Sequence, residues 1–214
     1  MKRIGLTQRV EVVPSYGERR DCLDQRWAGL LLSLGFCPVP LSNHVQDVED
    51  YLAALALDGV ILTGGNDIVE AAGSTDITPE RDRLEHLALD FAAADGLPVL
   101  GVCRGLQLMN VHYEGGLVPV TGHVAQPHST RLDPDFFPGC PDSPTTNSFH
   151  GFGIDESCFS QHLRAVAWTE DGSIEAAVHE SLLCIGIMWH PEREESLTDH
   201  DRLIFRTAFG DGQS

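Results

Sequence analysis

The sequence is almost without lysine, which excludes one large class of phosphate site. Lys2 is the only lysine among the 14 lysine and arginine residues. A Walker A loop needs a lysine directly after its glycines, so this chain cannot form one. The G-x-G-x-x-G fingerprint of dinucleotide-binding folds is absent as well. Any nucleotide recognised by this protein must therefore be held in another way.

Long apolar runs and paired cysteines are missing too. No stretch approaches the ~20 apolar residues of a membrane-spanning helix, and residues 1–17 lack the apolar segment of a secretory signal. The six cysteines form no C-x-x-C pair, which is typical of free thiols in a reducing compartment. These absences predict a cytoplasmic protein.

Negative charge dominates the chain. The formal net charge of -18 would repel a nucleic-acid backbone or an anionic membrane, so we expect neither as a partner. Arginines nevertheless cluster near the N-terminus, and their guanidinium forks suit phosphates and carboxylates. The alternative for these arginines is a scatter of solvated or salt-bridged side chains. They are Arg9, Arg19, Arg20 and Arg26.

The order of apolar segments predicts an α/β fold. A length of 214 residues with 42% hydrophobic content suits one core, and we expect a single domain over residues 1–214. Short apolar runs alternate with helical patterns, which is typical of a mostly parallel central sheet with helices on both faces. Strands are predicted at 3–7, 38–41, 59–62, 98–102, 163–168, 174–178 and 182–189, with a further apolar run at 146–152.

Helices are predicted over residues 21–34, 79–95, 103–111 and 199–209. The clearest has Thr78 as N-cap, Pro79 at its first position and Gly96 at its end. Its apolar stripe is expected to face the core and consists of Leu84, Leu87, Ala88 and Phe91. Residues 116–144 are rich in proline and aspartate, and we expect a surface excursion with little regular structure.

Gly101-Val-Cys103-Arg-Gly105 has the form of a nucleophile elbow with cysteine as the nucleophile. The motif lies where a buried strand should give way to a helix, and glycines on both sides leave room for the sharp turn. The amides at the start of the following helix favour a thiolate over a thiol. The alternative is a small buried cysteine that only fills space.

His190-Pro191-Glu192 supplies a base and a group to orient it. The tripeptide follows the predicted strand 182–189, so in an extended chain His190 and Glu192 would point to the same side. A cysteine nucleophile needs such a histidine, and the histidine needs a partner that fixes its tautomer. Together with Cys103 these residues form a candidate catalytic triad at the carboxyl ends of parallel strands.

An acyl-transfer site also needs donors for the oxyanion. The backbone N–H of Arg104 is the natural first donor, because it follows the nucleophile. The second is expected from the Gly64-Gly65 turn, with Gly65 as the donor residue. A plain tight turn is the alternative explanation for these glycines.

Three motifs carry a family resemblance. G-V-C-R-G-L-Q at 101–107, L-T-G-G-N-D at 62–67 and W-H-P-E at 189–192 resemble the class I glutamine amidotransferase superfamily, in its order of motifs. The resemblance implies a γ-glutamyl thioester on Cys103, hydrolysed with His190 as acid and base, and no cofactor. It also implies that the glutamyl α-amino and α-carboxylate groups are held by Gln107 and by Asn147, Ser148, Phe149 and His150.

Finer features point to a branch of the superfamily. Arg104 after the nucleophile resembles the peptidase C26-type γ-glutamyl hydrolases, among them the γ-glutamyl-γ-aminobutyrate hydrolases. The segments 7–9, 20–23 and 186–193 most resemble the γ-glutamyl-CDP-amidate hydrolases of capsular phosphoramidate synthesis. This implies a small-molecule, nucleotide-linked γ-glutamyl substrate, whose diphosphate would be held by Gln8, Arg9, Arg19 and Arg20.

Other functions stay open at this level. The chain fits a glutaminase subunit that passes ammonia to a synthase, or a non-catalytic protein that has kept the fold. His123 and His128 have no third ligand at a usual spacing, so we expect solvated loop histidines and no metal site. The segment 121–145 matches no pattern and is a candidate for contact with the leaving group.

Overall fold

A nine-stranded sheet dominates the computed structural model, which describes residues 1–69, 71 and 73–212. The strands within these ranges are β1 Lys2–Leu6, β2 Arg9–Val12, β3 Arg19–Cys22, β4 Phe36–Pro40, β5 Gly59–Leu62, β6 Val99–Val102, β7 Val118–Pro119, β8 His128–Leu132, β9 Thr145–Thr146, β10 Phe152–Gly153, β11 Leu163–Thr169, β12 Ile174–His179 and β13 Cys184–Ile187. The helices are α1 Arg26–Ser33, α2 Val48–Leu55, α3 Pro79–Asp95, α4 Arg104–His112 and α5 Asp199–Phe209, with a 3₁₀ turn at Pro191–Arg193.

The strand order brings the predicted motifs to one edge of the sheet. The order is β4-β1-β5-β6-β13-β12-β11-β8-β9, and the first five strands are parallel. The remaining neighbours pair antiparallel. Because β5, β6 and β13 are adjacent and parallel, the segments that follow them meet at the same edge. These segments begin at Thr63, Cys103 and Met188.

Helices cover both faces of the sheet, as predicted. On one face, Trp27 of α1 and Phe205 of α5 pack with Ile61, Leu100 and Ile185. The other face carries α2, α3 and α4, whose apolar side chains pack with the alternate residues of the same strands. Among the described helices none is both long and apolar enough to span a bilayer.

Most predicted elements are confirmed, and α5 has the predicted bounds. The helix predicted over 21–34 begins only at Arg26, because Arg19–Cys22 pairs with Arg9–Val12 in an antiparallel hairpin. Helix α2 was not predicted. In α3, Thr78 and Gly96 flank the helix as expected, but Leu87 is 38% exposed. Beside its apolar residues, the buried face of α3 contains three charged side chains that were not predicted there, Arg81, Asp82 and Glu85.

The prediction for residues 116–144 missed two strands, the short β7, which pairs with β10, and β8. β8 joins the main sheet through β11, with Thr130 opposite Thr169 and Leu132 opposite Ala167. Its polar residues gave no apolar run, but Thr130 is buried and its hydroxyl bonds that of Thr146 at 2.7 Å. A strand whose buried residues are polar shows no apolar run in the sequence, so β8 could not be predicted from hydrophobicity.

We predict that Gly105→Ala destabilises the protein by about 1–3 kcal/mol, the usual cost of overpacking. A Cβ at Gly105 would lie 2.2 Å from the backbone oxygen of Leu62, because α4 crosses β5 at this point. The free energy of unfolding from urea titration measures the effect.

Gly29→Ala is the matched control. Gly29 lies inside α1, and a Cβ there meets no atom within 4 Å. Removal of a helical glycine should raise the free energy of unfolding by roughly 0.5–1 kcal/mol. Equal unfolding midpoints for the two variants would contradict the packing described for α4.

Candidate active site

Cys103 occupies the predicted sharp turn between β6 and α4. Its backbone has φ +53° and ψ -104°, a conformation that L-residues rarely adopt. The Cys103 N–H donates to the carbonyl of Ile187 at 2.7 Å, which ties the turn to β13. A Cβ at Gly101 would lie 2.6 Å from Met109 Sδ, so the glycine allows α4 to lie against the strand. The turn aims Cys103 at the carboxyl edge of the sheet.

The side chains of His190 and Glu192 are joined as predicted. His190 Nδ1 lies 2.7 Å from Glu192 Oε1, and both side chains are buried. The link is not made in an extended chain, because Pro191 starts a 3₁₀ turn that brings Glu192 back toward the imidazole. A carboxylate accepts hydrogen bonds, so it holds the proton on Nδ1 and leaves Nε2 free to exchange one.

The thiol and the imidazole converge beside Gly64. A Cβ at Gly64 would lie 2.8 Å from His190 Cε1 and 3.7 Å from Cys103 Cβ. Only glycine therefore fits between the turn and the two side chains. His190 Nε2 is buried and has no hydrogen-bond partner among the described residues.

The two groups shift one another's protonation. Burial is the largest single effect on Cys103 and opposes its ionisation, but the interactions of the thiolate with His190 and His150 together outweigh burial and hold the pKa of the thiol below its usual value. Burial likewise opposes protonation of His190, yet the Cys103 thiolate and Glu192 raise the pKa of the imidazole to about 9. The thiolate and the imidazolium therefore stabilise each other.

Asn147 holds the backbone of His190 from both sides. Its Oδ1 accepts from the His190 N–H at 2.8 Å, and its Nδ2 donates to the His190 carbonyl at 2.9 Å. Nδ2 also donates to Glu194 Oε1. The Asn147 carboxamide was predicted to bind substrate, but it is bonded to the backbone of His190. These bonds favour a positioning role for Asn147.

Arg81 organises the predicted oxyanion turn. Its Nη2 donates to the carbonyl of Thr63 at 2.6 Å, and its Nη1 donates to those of Gly64 at 3.2 Å and Gly65 at 2.5 Å. In a trans peptide the N–H points opposite to the carbonyl, so the N–H groups of Gly64 and Gly65 point away from Arg81. Gly65 has φ +89°, which suits glycine. One guanidinium therefore fixes the direction of this turn.

A buried ionic network joins Arg81 to the elbow. Arg81 Nε lies 2.9 Å from Glu85 Oε1, and the side chain of Arg104 pairs with both Glu85 and Asp82. Two positive and two negative groups are thereby enclosed without net charge. Burial lowers the pKa of Arg81 to about 10, which leaves it charged at neutral pH. Arg104, predicted to contribute its backbone N–H, also connects the elbow to α3.

Sequence reasoning missed this network. Its only local signal was the spacing of Arg81 and Glu85, an i,i+4 pair that usually lies on an exposed helix face. The partners Arg104 and Thr63 come from other elements.

A cavity of about 200 Å³ lies beside His190 and the glycine turn. Arg9 lines it, and so does Arg193, which was not predicted as a site residue. The Arg193 guanidinium lies 4.3 Å from the ring centroid of Phe149. The ring centroids of Phe149 and His190 are 5.7 Å apart, and the two rings are nearly perpendicular. Arg9 Nη2 pairs with Glu11 at 2.9 Å but remains half exposed.

The other predicted phosphate-binding residues have protein partners. Arg19 pairs with Glu80, and Arg20 Nε lies 2.8 Å from Glu18. Gln8 donates to the carbonyl of Leu41 at 2.8 Å. Of this predicted set, Arg9 is the residue that lines the cavity.

Two of the residues predicted to hold the glutamyl group, Gln107 and His150, meet at one backbone carbonyl. Gln107 is buried, and its Nε2 donates to the carbonyl of Phe152 at 2.7 Å. His150 Nδ1 lies 2.9 Å from the same carbonyl. Ser148 is buried and donates to the carbonyl of His123 at 2.6 Å. Their role toward substrate stays a prediction.

Comparison with known proteins agrees with this arrangement. Residues 4–192 match the family model Peptidase C26. The chain belongs to the Peptidase C26 family. This confirms the predicted branch of the superfamily, and the match spans the elbow, the glycine turn and the His-Pro-Glu segment.

Individual relatives of this C26 chain cover most of its length. The γ-glutamyl-CDP-amidate hydrolase of Campylobacter jejuni subsp. jejuni serotype O:2 is 32% identical over 199 residues, which are 92% of each chain. The γ-glutamyl-γ-aminobutyrate hydrolase PuuD of Escherichia coli K12 is 26% identical over 222 residues, covering 88% of this chain and 85% of that one. A solved glutamine amidotransferase from Thermotoga maritima has a TM-score of 0.65 at 16% identity, covering 89% and 76% of the chains, and supports the fold.

Iodoacetamide should modify Cys103 in a pH-dependent way that His190 controls. Since His190 lowers the pKa of the thiol, the thiolate persists to lower pH than in an ordinary cysteine. His190→Gln should move the rate profile to higher pH and slow labelling at neutral pH by about tenfold for each pKa unit. Peptide mapping by mass spectrometry gives the rate at each cysteine.

Cys140 is the internal reference, because nearby acidic groups and burial raise its pKa and His190 is not among the causes. Its labelling should not respond to His190→Gln. Equal rates at all six cysteines would contradict an activated thiol at position 103.

Proposed function

We propose that this C26 chain hydrolyses the γ-glutamyl amide bond of a γ-glutamyl-CDP-amidate and releases glutamate and cytidine diphosphoramidate, in the synthesis of capsular phosphoramidates. The observation that carries the chemistry is that Cys103 and His190 both lie buried beside Gly64, with Glu192 bonded to His190 Nδ1. The relative from C. jejuni supports the substrate.

The first half of the reaction forms a thioester. The Cys103 thiolate attacks the γ-carbonyl carbon of the glutamyl group, and its electron pair forms the new S–C bond. The N–H groups of Arg104 and Gly65 hold the oxyanion that develops. When this intermediate collapses, the acyl C–N bond breaks and the His190 imidazolium protonates the departing nitrogen, which stays on phosphorus.

The second half of the reaction hydrolyses the thioester and regenerates the free enzyme. His190, now neutral, removes a proton from water, and the oxygen attacks the thioester carbon. The S–C bond breaks, the thiolate of Cys103 re-forms, and glutamate leaves. Glu192 stays ionised throughout and stabilises each imidazolium through the Nδ1 hydrogen bond.

The nucleotide part of the proposal rests on two guanidinium groups. Arg9 and Arg193 line the cavity next to His190, in a protein whose formal charge is -18. Arginine forks hold phosphate oxygens well, so a diphosphate beside the scissile bond suits this cavity. The carboxylate of γ-aminobutyrate would also pair with one arginine, and the relative PuuD supports that second candidate.

The direct test is glutamate release from purified protein. We expect turnover of γ-glutamyl-CDP-amidate at a higher kcat/KM than that of γ-glutamyl-γ-aminobutyrate, and no turnover of either by Cys103→Ala. Faster turnover of γ-glutamyl-γ-aminobutyrate would reverse the choice of substrate. Release of glutamate from glutamine only with a synthase partner would favour an ammonia-supplying subunit, and turnover of none would refute the proposal.

Arg193→Gln tests the recognition of the leaving group, and kcat reports any effect on Glu192, whose Oε1 lies 3.7 Å from Arg193 Nε. We expect it to raise KM for the CDP-linked substrate about tenfold or more, because one charge-assisted contact to phosphate is lost. Arg20→Gln is the matched control, since Arg20 pairs with Glu18 at 2.8 Å on the hairpin. An equal KM in both variants would contradict a role for Arg193 in nucleotide binding.

A further inference from the structure

Three histidines surround one buried glutamate in the antiparallel half of the sheet. Glu175 lies on β12 and is fully buried. His128 comes from β8, His123 from the loop before it and His150 from the loop after β9. The expectation of solvated loop histidines is wrong for both residues, since His123 is 4% exposed and His128 lies on strand β8 with its side chain mostly buried. Contact among these residues was invisible in the sequence because four separate segments contribute.

Polar atoms in this cluster lack hydrogen bonds. Both carboxylate oxygens of Glu175 are buried without a partner among the described residues, and so are His123 Nδ1, His128 Nε2 and His150 Nε2. Such a concentration of unpaired buried groups is unusual, because each is costly. The three nitrogens lie 3.8, 3.3 and 3.6 Å from the Glu175 oxygens, in that order.

Neighbouring groups fix the tautomers of two of the rings. His123 Nε2 lies 2.8 Å from Asp171 Oδ2, and a carboxylate only accepts, so this nitrogen carries a proton. His150 Nδ1 is held in the same way by the carbonyl of Phe152 at 2.9 Å. In the neutral rings, the other nitrogens therefore turn bare lone pairs toward Glu175. Acceptors facing acceptors in a buried space need protons or a metal ion between them.

We propose that this cluster binds a divalent transition-metal ion, with Zn²⁺ as the best fit, through His123 Nδ1, His128 Nε2 and a carboxylate oxygen of Glu175. Ligand atoms of these three residues lie within 4.8 Å of one another. In a tetrahedral zinc site with bonds of about 2.0–2.1 Å, the ligand atoms lie roughly 3.4 Å apart. The distances from His123 Nδ1 and His128 Nε2 to the Glu175 oxygens, 3.8 and 3.3 Å, are close to this value. His150 Nε2 lies 3.6 Å from Glu175 Oε1 but is not one of these three ligand groups, and water would complete the tetrahedron.

Surrounding residues fit a metal site. The bond from His123 to Asp171 is the carboxylate–histidine arrangement that orients a metal-bound imidazole. A cavity of about 280 Å³, lined by His123, His128 and Asp171 among others, gives an ion a way in. Imidazole nitrogens with one carboxylate suit zinc better than calcium or magnesium, which prefer oxygen.

The ion would stabilise the segment that supports the base. It would cross-link β8 and β12 to the loop of His123, whose carbonyl accepts from Ser148 Oγ at 2.6 Å and from the His150 N–H at 3.2 Å. Asn147, next to Ser148, holds the His190 backbone at 2.8 and 2.9 Å. Metal binding would thus stiffen the support of His190 from outside the triad. This role does not depend on which γ-glutamyl substrate the protein takes.

Metal content tests the proposal. The Cys103→Ala protein is the right background, because a cysteine thiolate is itself a zinc ligand. After loading with Zn²⁺ and dialysis, we expect about one equivalent by mass spectrometry of the metal. Cobalt(II) should give the visible absorption of a four-coordinate nitrogen and oxygen site without a sulfur charge-transfer band. Both readouts are independent of turnover.

Two added substitutions locate the ion. His128→Gln and Glu175→Gln in this background should each weaken binding at least tenfold, while His162→Gln, an exposed histidine paired with Glu114, should not. Failure of the folded Cys103→Ala protein to bind either metal would overturn the proposal and leave a cluster neutralised by protons. Unchanged affinity after His128→Gln would overturn it as well, even if Glu175→Gln fails to fold.

Discussion

The site depends on four buried charges beneath it, those of Arg81, Asp82, Glu85 and Arg104. Arg104 belongs to the helix that follows the nucleophile, and Arg81 donates to three carbonyls of the glycine turn. Loss of one member of such a group typically costs about 3–5 kcal/mol, because a partner is left buried and uncompensated. The network thus connects the turn at Cys103, the proposed nucleophile, to the glycine turn that is proposed to hold the oxyanion.

The sheet topology brings His190 next to Cys103. Since β13 is the parallel neighbour of β6, the segment after β13 emerges beside Cys103. The 3₁₀ turn adds Glu192 behind the imidazole, and Asn147 holds the His190 backbone from the antiparallel half. Residues from both halves of the sheet therefore support one imidazole. A buried cysteine and histidine favour the charged pair only because each stabilises the other.

Local signals explain what the sequence could predict. The elbow, the His-Pro-Glu segment and the apolar strands are each encoded within a few residues, and the structure has them where they were expected. Long-range polar contacts explain the failures. The hairpin of β2 and β3 is fixed in part by Asn66, which bonds Val10 at 2.8 and 3.0 Å across 56 positions, and no periodicity reveals it. Long-range contacts also bring Glu175 to its histidines and Arg193 to the cavity, so neither position could be predicted from periodicity.

The proposed mechanism requires that the glutamyl group is transferred to Cys103 before it reaches water. An acid quench during turnover of γ-glutamyl-CDP-amidate, followed by peptide mapping of the protein by mass spectrometry, tests this step. We expect a glutamyl group on the peptide that contains Cys103, removed by mild base and absent in Cys103→Ala. Steady release of glutamate with no acylated cysteine at any quench time, or with the acyl group on another residue, would contradict it.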